Sequence, residues 1–464
     1  MPQIQFGREA YKSRSRFLNG ERLVNMYLEE APSGSKNATV VYGTAGLKLF
    51  DTIGSDPVYG HHLMGDFLYV VSGNTVYKVG QFGEATSLGT IGSVNDNVIM
   101  DNNGTQVIIN KEDGASYVAT TSTLTQITDS DYQSSSSVAV LDGYAIFTKL
   151  NSNEYFISSL NDATAFDALD RSEAKSKPDN LVRAYVHQDS LWLFKETNTE
   201  VHRNTGNSDF PFEIISGATI DRGCAAKRSV VSEDNTIFWL GDDLVVYRAD
   251  GYTPKRISTH AIEGDIASYN TTSDAEAFVY TEHGHKFLVL TFPTAKRTWV
   301  YDIATGLWHQ RQSFEKERWR CTGLVKAFGK NITGDFETGL LYEIDLDTYT
   351  ENGSTIQRIV TSPPIWNDTK RMVFHKLRID FDPGVGLISG QGSDPQAMLR
   401  FSNDGGGTWS NEIWKDIGQM GEYKTRAVWR RLGQARQRIF EVTVSDQVKV
   451  AITGAYVEVS TEDD

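Results

Sequence analysis

The chain has 464 residues, 39% of them hydrophobic, and its 60 acidic and 45 basic residues give a formal net charge of −15. This composition predicts a globular protein of roughly two to four domains and excludes an intrinsically disordered chain. An acidic surface repels a phosphate backbone, which argues against general nucleic-acid binding. It would nevertheless suit the wall of a channel through which DNA slides without sticking.

The sequence shows no sign of a membrane or secretory segment. No apolar run approaches the ~20 residues of a transmembrane helix, and residues 1–8 lack the apolar core of a signal peptide. We therefore expect no membrane anchor and no secretory signal. Cys224 and Cys321 lie far apart in the chain, which predicts two buried free thiols rather than a disulfide framework or a zinc site.

The first predicted region, residues 1–39, is an arm without a core of its own. Its basic side chains are Arg8, Lys12, Arg14, Arg16 and Arg22. An apolar stretch at 23–28 and a polar linker at 31–36 follow them. Because so short a segment cannot bury a core alone, we expect it to pack on the next domain or on a neighbouring molecule.

A four-part pattern recurs through residues 40–350: a polar turn, a short apolar strand, a second polar turn, and a strand with an aromatic residue or valine. For example, Asp142-Gly143 precedes the apolar run 144–147. The repeats are anchored at Leu68, Val107, Tyr144, Leu191, Ile237, Phe287 and Ile332, with steps of 37 to 50 residues. A strand-and-turn repeat of this length predicts a β-propeller, in which neighbouring blades bury each other's apolar faces.

The last repeat supplies only three strands, so the ring needs a fourth from elsewhere in the chain. The alternating segment 47–53, ahead of the first repeat, is the candidate, and closure would leave no unpaired strand edge. Its closure residues are Leu47, Leu49, Phe50 and Ile53. This arrangement favours seven blades, and six would follow if the final repeat were an appendage. An irregular pair of β-sandwiches is the alternative to a propeller.

Helix-like periodicity is confined to two short stretches, 161–169 and 258–265. We expect both to be excursions between strands, which makes the chain all-β.

Residues 351–464 again alternate apolar and polar side chains after a polar break. The clearest strands are 376–381, 397–401, 438–444 and 448–459. Six or more strands in about 110 residues predict a β-sandwich. The expected domains are therefore an N-terminal arm and linker (1–39), a propeller (40–350) and a C-terminal β-sandwich (351–464).

Residues 402–409 fit the Asp-box pattern S-x-D-x-G-x-T-W, which describes a tight hairpin. In it the aspartate bonds backbone N–H groups, a glycine adopts positive φ, and the tryptophan packs under the turn. The residues concerned are Ser402, Asp404, Gly406 and Trp409. Sialidases carry several such boxes in their propeller blades, whereas this one lies in the C-terminal domain. We interpret it as a structural turn.

A basic stretch from Lys424 to Arg438 interrupts the acidic sequence. It contains Lys424, Arg426, Arg430, Arg431, Arg436 and Arg438, with Trp429 among them. One reading is a nucleic-acid site. We favour the outer face of a strand pair that meets an acidic neighbour, because copies of one acidic protein need such a patch to attract each other. The candidate subunit or adaptor interface is Lys424, Arg426, Arg430 and Arg431.

No set of residues predicts catalysis, a cofactor or a metal site. His283 and His285 share a strand face, but without an evident third ligand we expect a solvated hairpin turn. His61 and His62 point to opposite faces of a strand and cannot chelate together. Carboxylates in turns are expected to be caps, and no nucleophile elbow or phosphate-binding glycine loop occurs.

Several segments at both ends of the chain carry a resemblance. They are Arg22–Glu29, Tyr42–Lys48, Leu399–Gly406, Gly421–Tyr423 and Val428–Gly433. The chain in these segments resembles the tail-hub proteins of short-tailed bacteriophages, also called packaged-DNA stabilisation proteins or tail accessory factors. The repeats between the segments are compatible with this family.

The resemblance implies a structural virion protein that is not an enzyme. It implies a ring, usually of six copies, below the portal and the head-to-tail adaptor, which extends the DNA channel and helps to retain the packaged genome. The expected partners are other copies of the chain, the adaptor, and tail fibre, spike or plug proteins, while DNA passes without sequence-specific binding. The expected location is the virion tail, after assembly in the host cytoplasm.

Two other functional classes stay open at this point. A carbohydrate-active or glycan-binding propeller would be indicated by acidic and aromatic side chains clustered at one mouth of the propeller. A bacterial adhesin or interaction propeller would normally carry a signal peptide, which we do not expect here.

Overall fold

The computed structural model of the protein describes residues 2–12, 20–32, 34, 37–368 and 370–461. Arg14 and Arg16 of the predicted arm, and part of its linker, lie outside these residues. Within the described residues the regular structure consists of strands and one α-helix, His260–Ile266. None of this helical structure has the length and apolar character needed to cross a membrane.

Six blades of the propeller are antiparallel units of four consecutive strands, which we number in chain order; the sheet of blade 6 continues beyond its four strands. Blade 1 is Val58–Met64, Phe67–Ser72, Thr75–Val79 and Ala85–Thr90; blade 2 is Ile99–Asn102, Val107–Asn110, Ser116–Ala119 and Leu124–Gln126; blade 3 is Ser135–Leu141, Tyr144–Lys149, Glu154–Ser159 and Asp162–Glu173. Blade 4 is Leu181–His187, Ser190–Lys195, Thr199–Asn204 and Phe212–Ile220; blade 5 is Val231–Glu233, Thr236–Leu240, Val246–Asp250 and Thr253–Arg256; blade 6 is Glu276–Glu282, His285–Phe292, Arg297–Asp302 and Leu307–Gln310. The first strand of each blade faces the axis of the ring.

A seventh four-stranded unit, here called the closing blade, joins the two ends of the ring. Its strands are Cys321–Ala327, Lys330–Asp335, Gly339–Asp345 and, from the start of the chain, Gly46–Gly54. The last two strands are antiparallel neighbours, with Ile344 opposite Leu47. Its first strand contacts that of blade 1, and an apolar cluster that includes Ile53 and Leu341 fills the seam between them.

The closing strand does not alternate regularly, because two bulges interrupt its pairing. Phe50 and Ile53 are the extra residues of these bulges. Leu47 and Ile53 are buried, Phe50 stacks on Phe328, and Leu49 is 44% exposed. Of the four predicted closure residues, Leu49 therefore lies outside the core. It shares a strand face with Leu47, because both precede the bulges, and only the residues that follow a bulge change face.

The repeated polar turn of the sequence is the tight hairpin between the first and second strands of a blade. Asp142 (φ 51°) and Gly143 (φ 83°) turn blade 3, while His283 (φ 46°) and Gly284 (φ 86°) turn blade 6. Two successive residues with positive φ match the twist of the flanking strands, and Asp, Asn and Gly tolerate this conformation best. The repeat could be recognised in the sequence because each turn requires residues that tolerate positive φ.

The two stretches with helix-like periodicity have different structures. Residues 258–265 largely coincide with helix His260–Ile266, which buries Ile262 and Ile266. For residues 161–169 the prediction of an excursion is wrong, because they belong to the outer strand of blade 3, Asp162–Glu173. Register shifts interrupt the pairing of this strand, so its apolar side chains do not follow a strict alternation.

The C-terminal domain is a β-sandwich of two sheets. One sheet has the order Met26–Glu30, Thr39–Gly43, Ala451–Thr461, Met372–Phe381 and Ala427–Arg430, with Gln434–Ala435 paired to its fourth strand. The other has the order Leu23–Val24, Arg358–Thr361, Gln437–Val444, Gln396–Ser402 and Ile413–Asp416, with Ile365–Trp366 paired to its third strand. Two short hairpins, Tyr11–Lys12 with Gly20–Glu21 and Thr350–Glu351 with Ser354–Thr355, complete the strands. The predicted fold class, an all-β chain with a β-propeller followed by a β-sandwich, is confirmed.

The N-terminal region joins the two domains of its own chain. We call residues 23–30 and 39–43 the connector. Val24 pairs in parallel with Gln310 of blade 6 and antiparallel with Ile359 of the sandwich, so blade 6 and one sandwich sheet are continuous. The strand at residues 39–43 belongs to a sandwich sheet. The boundary that we expected between arm and propeller, after residue 39, is therefore not a boundary between sheets.

One apolar core runs from blades 5 and 6 through the connector into the sandwich. Trp308 of blade 6, Leu23 and Met26 of the connector, and Phe374 and Phe440 of the sandwich belong to the same buried cluster. Two domains that share a core in this way resist independent motion. This arrangement fixes where the exposed faces of the sandwich lie relative to the ring.

Candidate interaction surfaces

The Asp-box is a closed hairpin held by its own side chains. Asp404 accepts hydrogen bonds from the Thr408 backbone N–H at 2.8 Å and from the Ser402 hydroxyl at 2.7 Å. Gly406 adopts a φ of 89°, and its N–H donates to Ser402 Oγ at 2.8 Å. These bonds, that from the Thr408 N–H first, lower the pKa of Asp404. Because the side chains of Ser402 and Asp404 are bonded within the turn, the geometry is that of a structural element.

Trp409 of the Asp-box is half-buried and lies under Arg400, whose guanidinium is 4.8 Å from the ring centre. The turn borders a cleft of about 900 Å³ between the sandwich and blade 6. Tyr269 and Arg297 form part of the opposite wall. The Asp-box therefore helps to shape the junction of the two domains.

The four residues of the candidate interface are all exposed at one edge of the sandwich. Arg430 ends the edge strand Ala427–Arg430 and lies opposite Lys376 on the neighbouring strand. Arg431 follows in the left-handed conformation, with a φ of 58°. In the part of the chain that the structure describes, none of Lys424, Arg426, Arg430 and Arg431 is held in an ion pair. Two like charges placed side by side favour an acidic partner.

Arg438, which ends the basic stretch of the sequence, belongs to the core. Its guanidinium lies 4.1 Å from the ring centre of Phe401 and 4.4 Å from that of Phe374. It donates to the Leu432 carbonyl at 2.6 Å and to Asn403 Oδ1 at 2.8 Å. Burial lowers the pKa of Arg438 to about 10. Arg438 is therefore not part of the exposed basic surface, which is narrower than the basic stretch of the sequence.

Apolar side chains adjoin the basic edge at the tip of the sandwich. Ile388 is 88% exposed, Tyr423 72% and Met420 55%. The two loops that carry them touch, because a Cβ on Gly386 would meet the Met420 backbone N at 2.9 Å. A groove lined by Tyr423, Lys424 and Arg426 continues from this tip. Exposed apolar residues beside a basic edge form a surface suited to protein contact.

A different set of charged residues lines a cavity of about 450 Å³ at the axis of the propeller. The segment before blade 2 crosses one end of this axial cavity. There Asp96 binds Arg228, which precedes blade 5, with oxygen–nitrogen distances of 2.6 and 2.7 Å. Asn97 donates to the Glu276 carboxylate of blade 6 and, at 3.0 Å, to Thr322 Oγ1 of the closing blade. These bonds block the axis at this end.

The sequence did not indicate the axial cavity, because its residues come from strands that are far apart in the chain. Arg183 in blade 4 and Glu276 in blade 6 face it from the inner strands. The available signal in the sequence for this cavity was a charged residue within an inner strand, such as Arg183. Such a residue is equally common on a solvated strand face, so the pattern alone does not locate a cavity.

The paired histidines of the sequence occupy four different environments. His283 is exposed in the blade 6 hairpin, but His285 is buried, with Nδ1 2.7 Å from Asp302 and Nε2 3.4 Å from Glu29 of the connector. The expectation of a solvated turn is therefore wrong for His285. The bond to Asp302 raises the pKa of His285. Among the described residues no group of three or more His, Cys, Asp or Glu side chains is arranged to hold a metal ion.

His61 and His62 have separate surroundings, as opposite strand faces require. His61 lines the axial cavity, neither of its ring nitrogens has a hydrogen-bond partner, and burial lowers its pKa to about 4. His62 lies with Nε2 2.7 Å from the side-chain nitrogen of Asn102. Cys224 and Cys321 are both buried and free.

Two protein-family models match the chain and together cover nearly all of it. The model described as bacteriophage P22 Gp10, beta-propeller, matches residues 3–349, and the model described as bacteriophage P22 Gp10, beta-sandwich, matches residues 357–460. The chain belongs to the bacteriophage P22 Gp10 family. Gp10 proteins are structural phage proteins, which makes this chain a virion component and confirms the resemblance seen at both ends of the sequence.

The remaining comparisons add no function. A search of curated proteins finds no match to this sequence. Among solved structures, the computationally designed Ika8 protein is 11% identical, with a TM-score of 0.39, over 70% of this chain and 100% of its own. PorZ of the Porphyromonas gingivalis type-IX secretion system is 12% identical, with a TM-score of 0.38, over 80% of this chain and 46% of its own.

Proposed function

We propose that this chain is the subunit of a tail hub, a closed ring below the portal and the head-to-tail adaptor. The ring extends the DNA channel, helps to retain the packaged genome, and receives tail fibres, spikes or a plug. The observation that supports this proposal most is the match of both domains to one phage family, over residues 3–349 and 357–460. Assembly takes place in the host cytoplasm, and the product is part of the virion tail.

The blocked axis of the propeller supports a ring of several copies rather than a channel through one copy. Asp96 and Asn97 bind residues of blades 5 and 6 and of the closing blade across this axis. A DNA duplex therefore needs a passage between subunits. A cyclic ring provides one, because a head-to-tail contact that closes by rotation leaves a central opening. The net charge of −15 keeps such a wall from holding the DNA.

The exposed basic edge is the proposed contact with an acidic surface of the next copy or of the adaptor. Lys376, Arg430 and Arg431 are close together on the sandwich, and the remainder of an acidic protein offers many complementary surfaces. Attraction of this kind raises the association rate and fixes orientation. It weakens as salt screens the charges.

The test is charge reversal at both exposed arginines, Arg430→Glu together with Arg431→Glu. We expect the assembled mass, measured by light scattering with and without the cognate portal and adaptor, to shift toward the monomer. The shift should be largest at low salt, while the unfolding temperature stays near that of the wild type because exposed charges contribute little to stability.

The matched control reverses two exposed charges on the propeller, Lys175→Glu with Arg203→Glu, and should assemble normally. Assembly of the Arg430 and Arg431 variant at wild-type levels would remove these residues from the interface. A wild-type protein that stays monomeric with its portal and adaptor present would contradict the hub itself.

The carbohydrate-active alternative receives no support from the axial cavity. Glu276 accepts a hydrogen bond from Arg318 at 3.0 Å, and Asp96 is engaged by Arg228. A general acid and a nucleophile need carboxylates that are free to face a sugar. Glu276 instead joins blade 6 to the segment before the closing blade, and Asp96 joins the segments before blades 2 and 5 across the axis.

A further inference from the structure

The axial cavity contains a cation for which the protein provides no hydrogen-bond acceptor. Arg183 extends from the inner strand of blade 4 into the cavity wall. Its Nε is buried without a partner, and among the described residues no side chain or carbonyl accepts a hydrogen bond from its guanidinium. The side chain lies over Tyr185, with Cζ 5.8 Å from the ring centre. A buried donor without a partner, as Nε is here, is costly unless a ligand satisfies it.

The carboxylates near the cavity are already committed to other cations. Asp96 is bound to Arg228, Glu276 to Arg318, and Glu233 to Lys286 at 3.2 Å. A further acid, Asp101, accepts hydrogen bonds from the backbone N–H groups of Val140 and Asn102 at 2.8 Å. Asp101 attracts Arg183 through space, since it raises the pKa of Arg183 against the larger lowering by burial. The hydrogen bonds of Asp101 are made to backbone N–H groups and not to the guanidinium of Arg183.

Two further groups make the site favourable for a negative charge. Burial, together with the nearby Arg228 and Arg183, lowers the pKa of Lys227, which shows that three cations share this region. His61 lines the same cavity and has one N–H to donate when neutral. The cavity is closed at the Asp96 and Asn97 end, so a ligand would enter from the end lined by Lys326 and Glu233.

We propose that the axial cavity is a binding site for a phosphate-type oxyanion, held by the guanidinium of Arg183. The planar fork of N–H donors in Arg matches two oxygens of a tetrahedral oxyanion, and such charge-assisted bonds are strong in a poorly solvated site. The ligand is either the free ion or the phosphate group of a monoester that fits a cavity of about 450 Å³. This site goes beyond the hub function and does not depend on it.

The experiment titrates the full chain with inorganic phosphate at constant ionic strength and measures binding by calorimetry and by the shift in unfolding temperature. We expect saturable binding by the wild type and at least about tenfold weaker binding by Arg183→Gln, because charged hydrogen bonds are lost. Arg183→Lys should bind with intermediate affinity, since it keeps the charge without the fork. A parallel titration with a nucleoside 5′-monophosphate tells a free ion from a monoester.

The matched control is Arg203→Gln, the same substitution at an exposed arginine of the same blade, which should bind phosphate like the wild type. Absence of saturable binding by the wild type, or equal binding by Arg183→Gln, would overturn the proposal. If Arg183→Gln does not fold, a crystal of the wild type grown with selenate decides: an anomalous peak beside Arg183 supports the site, and a cavity without a peak refutes it.

Discussion

The propeller ring and the connector are both held by backbone pairing, but over very different distances in the chain. In the ring each hairpin pairs neighbouring strands, and separate apolar clusters fill the seams between blades 1 and 2, 2 and 3, and 3 and 4. In the connector Val24 pairs with Gln310 and Ile359, and its core is shared with the sandwich. The ring therefore spreads its stability over many similar seams, whereas the connector concentrates the coupling of two domains in a few residues.

This difference teaches where a single substitution will matter. A damaged seam in a closed ring is supported on both sides, but the closing blade is an exception because its outer strand comes from the other end of the chain. The connector and the closing strand are adjacent in sequence, because residues 39–43 are followed directly by the strand Gly46–Gly54. The N-terminal 54 residues thus fasten both the ring and the sandwich.

The largest effect that we predict concerns the closing strand, where two leucines allow a matched comparison. Leu47 is fully buried in a cluster with Tyr342 and Ile344, whereas Leu49, two residues later, is 44% exposed. Leu47→Ala should lower the free energy of unfolding by about 2–5 kcal/mol through lost burial and the cavity left behind. Leu49→Ala should change it by less than about 1 kcal/mol. Chemical denaturation of both variants measures the difference.

Equal effects of the two leucine substitutions would contradict the difference in burial between Leu47 and Leu49. A small effect of both would mean that the ring tolerates an open seam. In that case the stability of the closing blade, like that of the other blades, would not depend on a single residue, in contrast to the connector.

The sequence predicts the ring well because its determinants are local. Turns such as Asp142-Gly143 need residues that accept positive φ, and the strands between them show their apolar faces directly. The closing strand could be located at 47–53 because the last repeat lacked a partner. Its bulges at Phe50 and Ile53 could not be predicted, since they depend on the partner's register.

The connector and the interaction surfaces were less predictable for a physical reason. Nothing local in the sequence indicates that residues 39–43 pair with a strand that begins at Ala451. The same limit applies to the basic stretch, where Arg430 and Arg438 look alike in sequence although one is exposed and the other lies among aromatic rings. Which cation is buried is decided by distant strands.

A second comparison uses two asparagines with the same backbone conformation, one in the connector and one in the ring. Asn25 has a φ of 55° and is fully buried; its side chain donates to the carbonyls of Gln312 and Gln357 at 2.9 Å. It also accepts from the Gln312 N–H at 3.1 Å. Asn161 has a φ of 59° but lies in an exposed turn of blade 3. Of these two asparagines, Asn25 is the one that links the end of blade 6 to the start of the sandwich.

We expect Asn25→Ala to lower the free energy of unfolding by about 2–4 kcal/mol, because buried backbone groups lose their partners. Asn161→Ala should cost about 1 kcal/mol, from the positive φ alone. Differential scanning calorimetry should also show whether the Asn25 variant separates into two transitions. A single transition with the cost of the Asn161 variant would show that the connector does not couple the domains through this residue.

The smallest predicted effect is a pH dependence at the contact of blade 6 with the connector. Glu282 has one carboxylate oxygen buried without a partner, and burial raises its pKa to about 7, with a further rise from Asp345. Its charge also influences Tyr27 of the connector. Between pH 4.5 and about 7 the carboxyl of Glu282 is protonated in the folded protein, whereas in the unfolded chain, with a pKa of 4.5, it is ionised. The free energy of unfolding therefore falls as the pH rises from about 4.5 to about 7.

Glu282→Gln keeps the size and the neutral form, so this variant should lose that part of the pH dependence. We expect it to match the wild type near pH 4 and to be more stable by about 1–3 kcal/mol at pH 8, in urea unfolding measured across the range. Glu213→Gln, at an exposed glutamate of blade 4, should run parallel to the wild type at every pH. His285 acts in the same direction in all three proteins, because its raised pKa gives stability below about pH 6.5 that is lost as the pH rises. If Glu282→Gln and the wild type stay equal at pH 8, the carboxyl is ionised at no cost, and the contact of blade 6 with the connector is more open to water than its packing indicates.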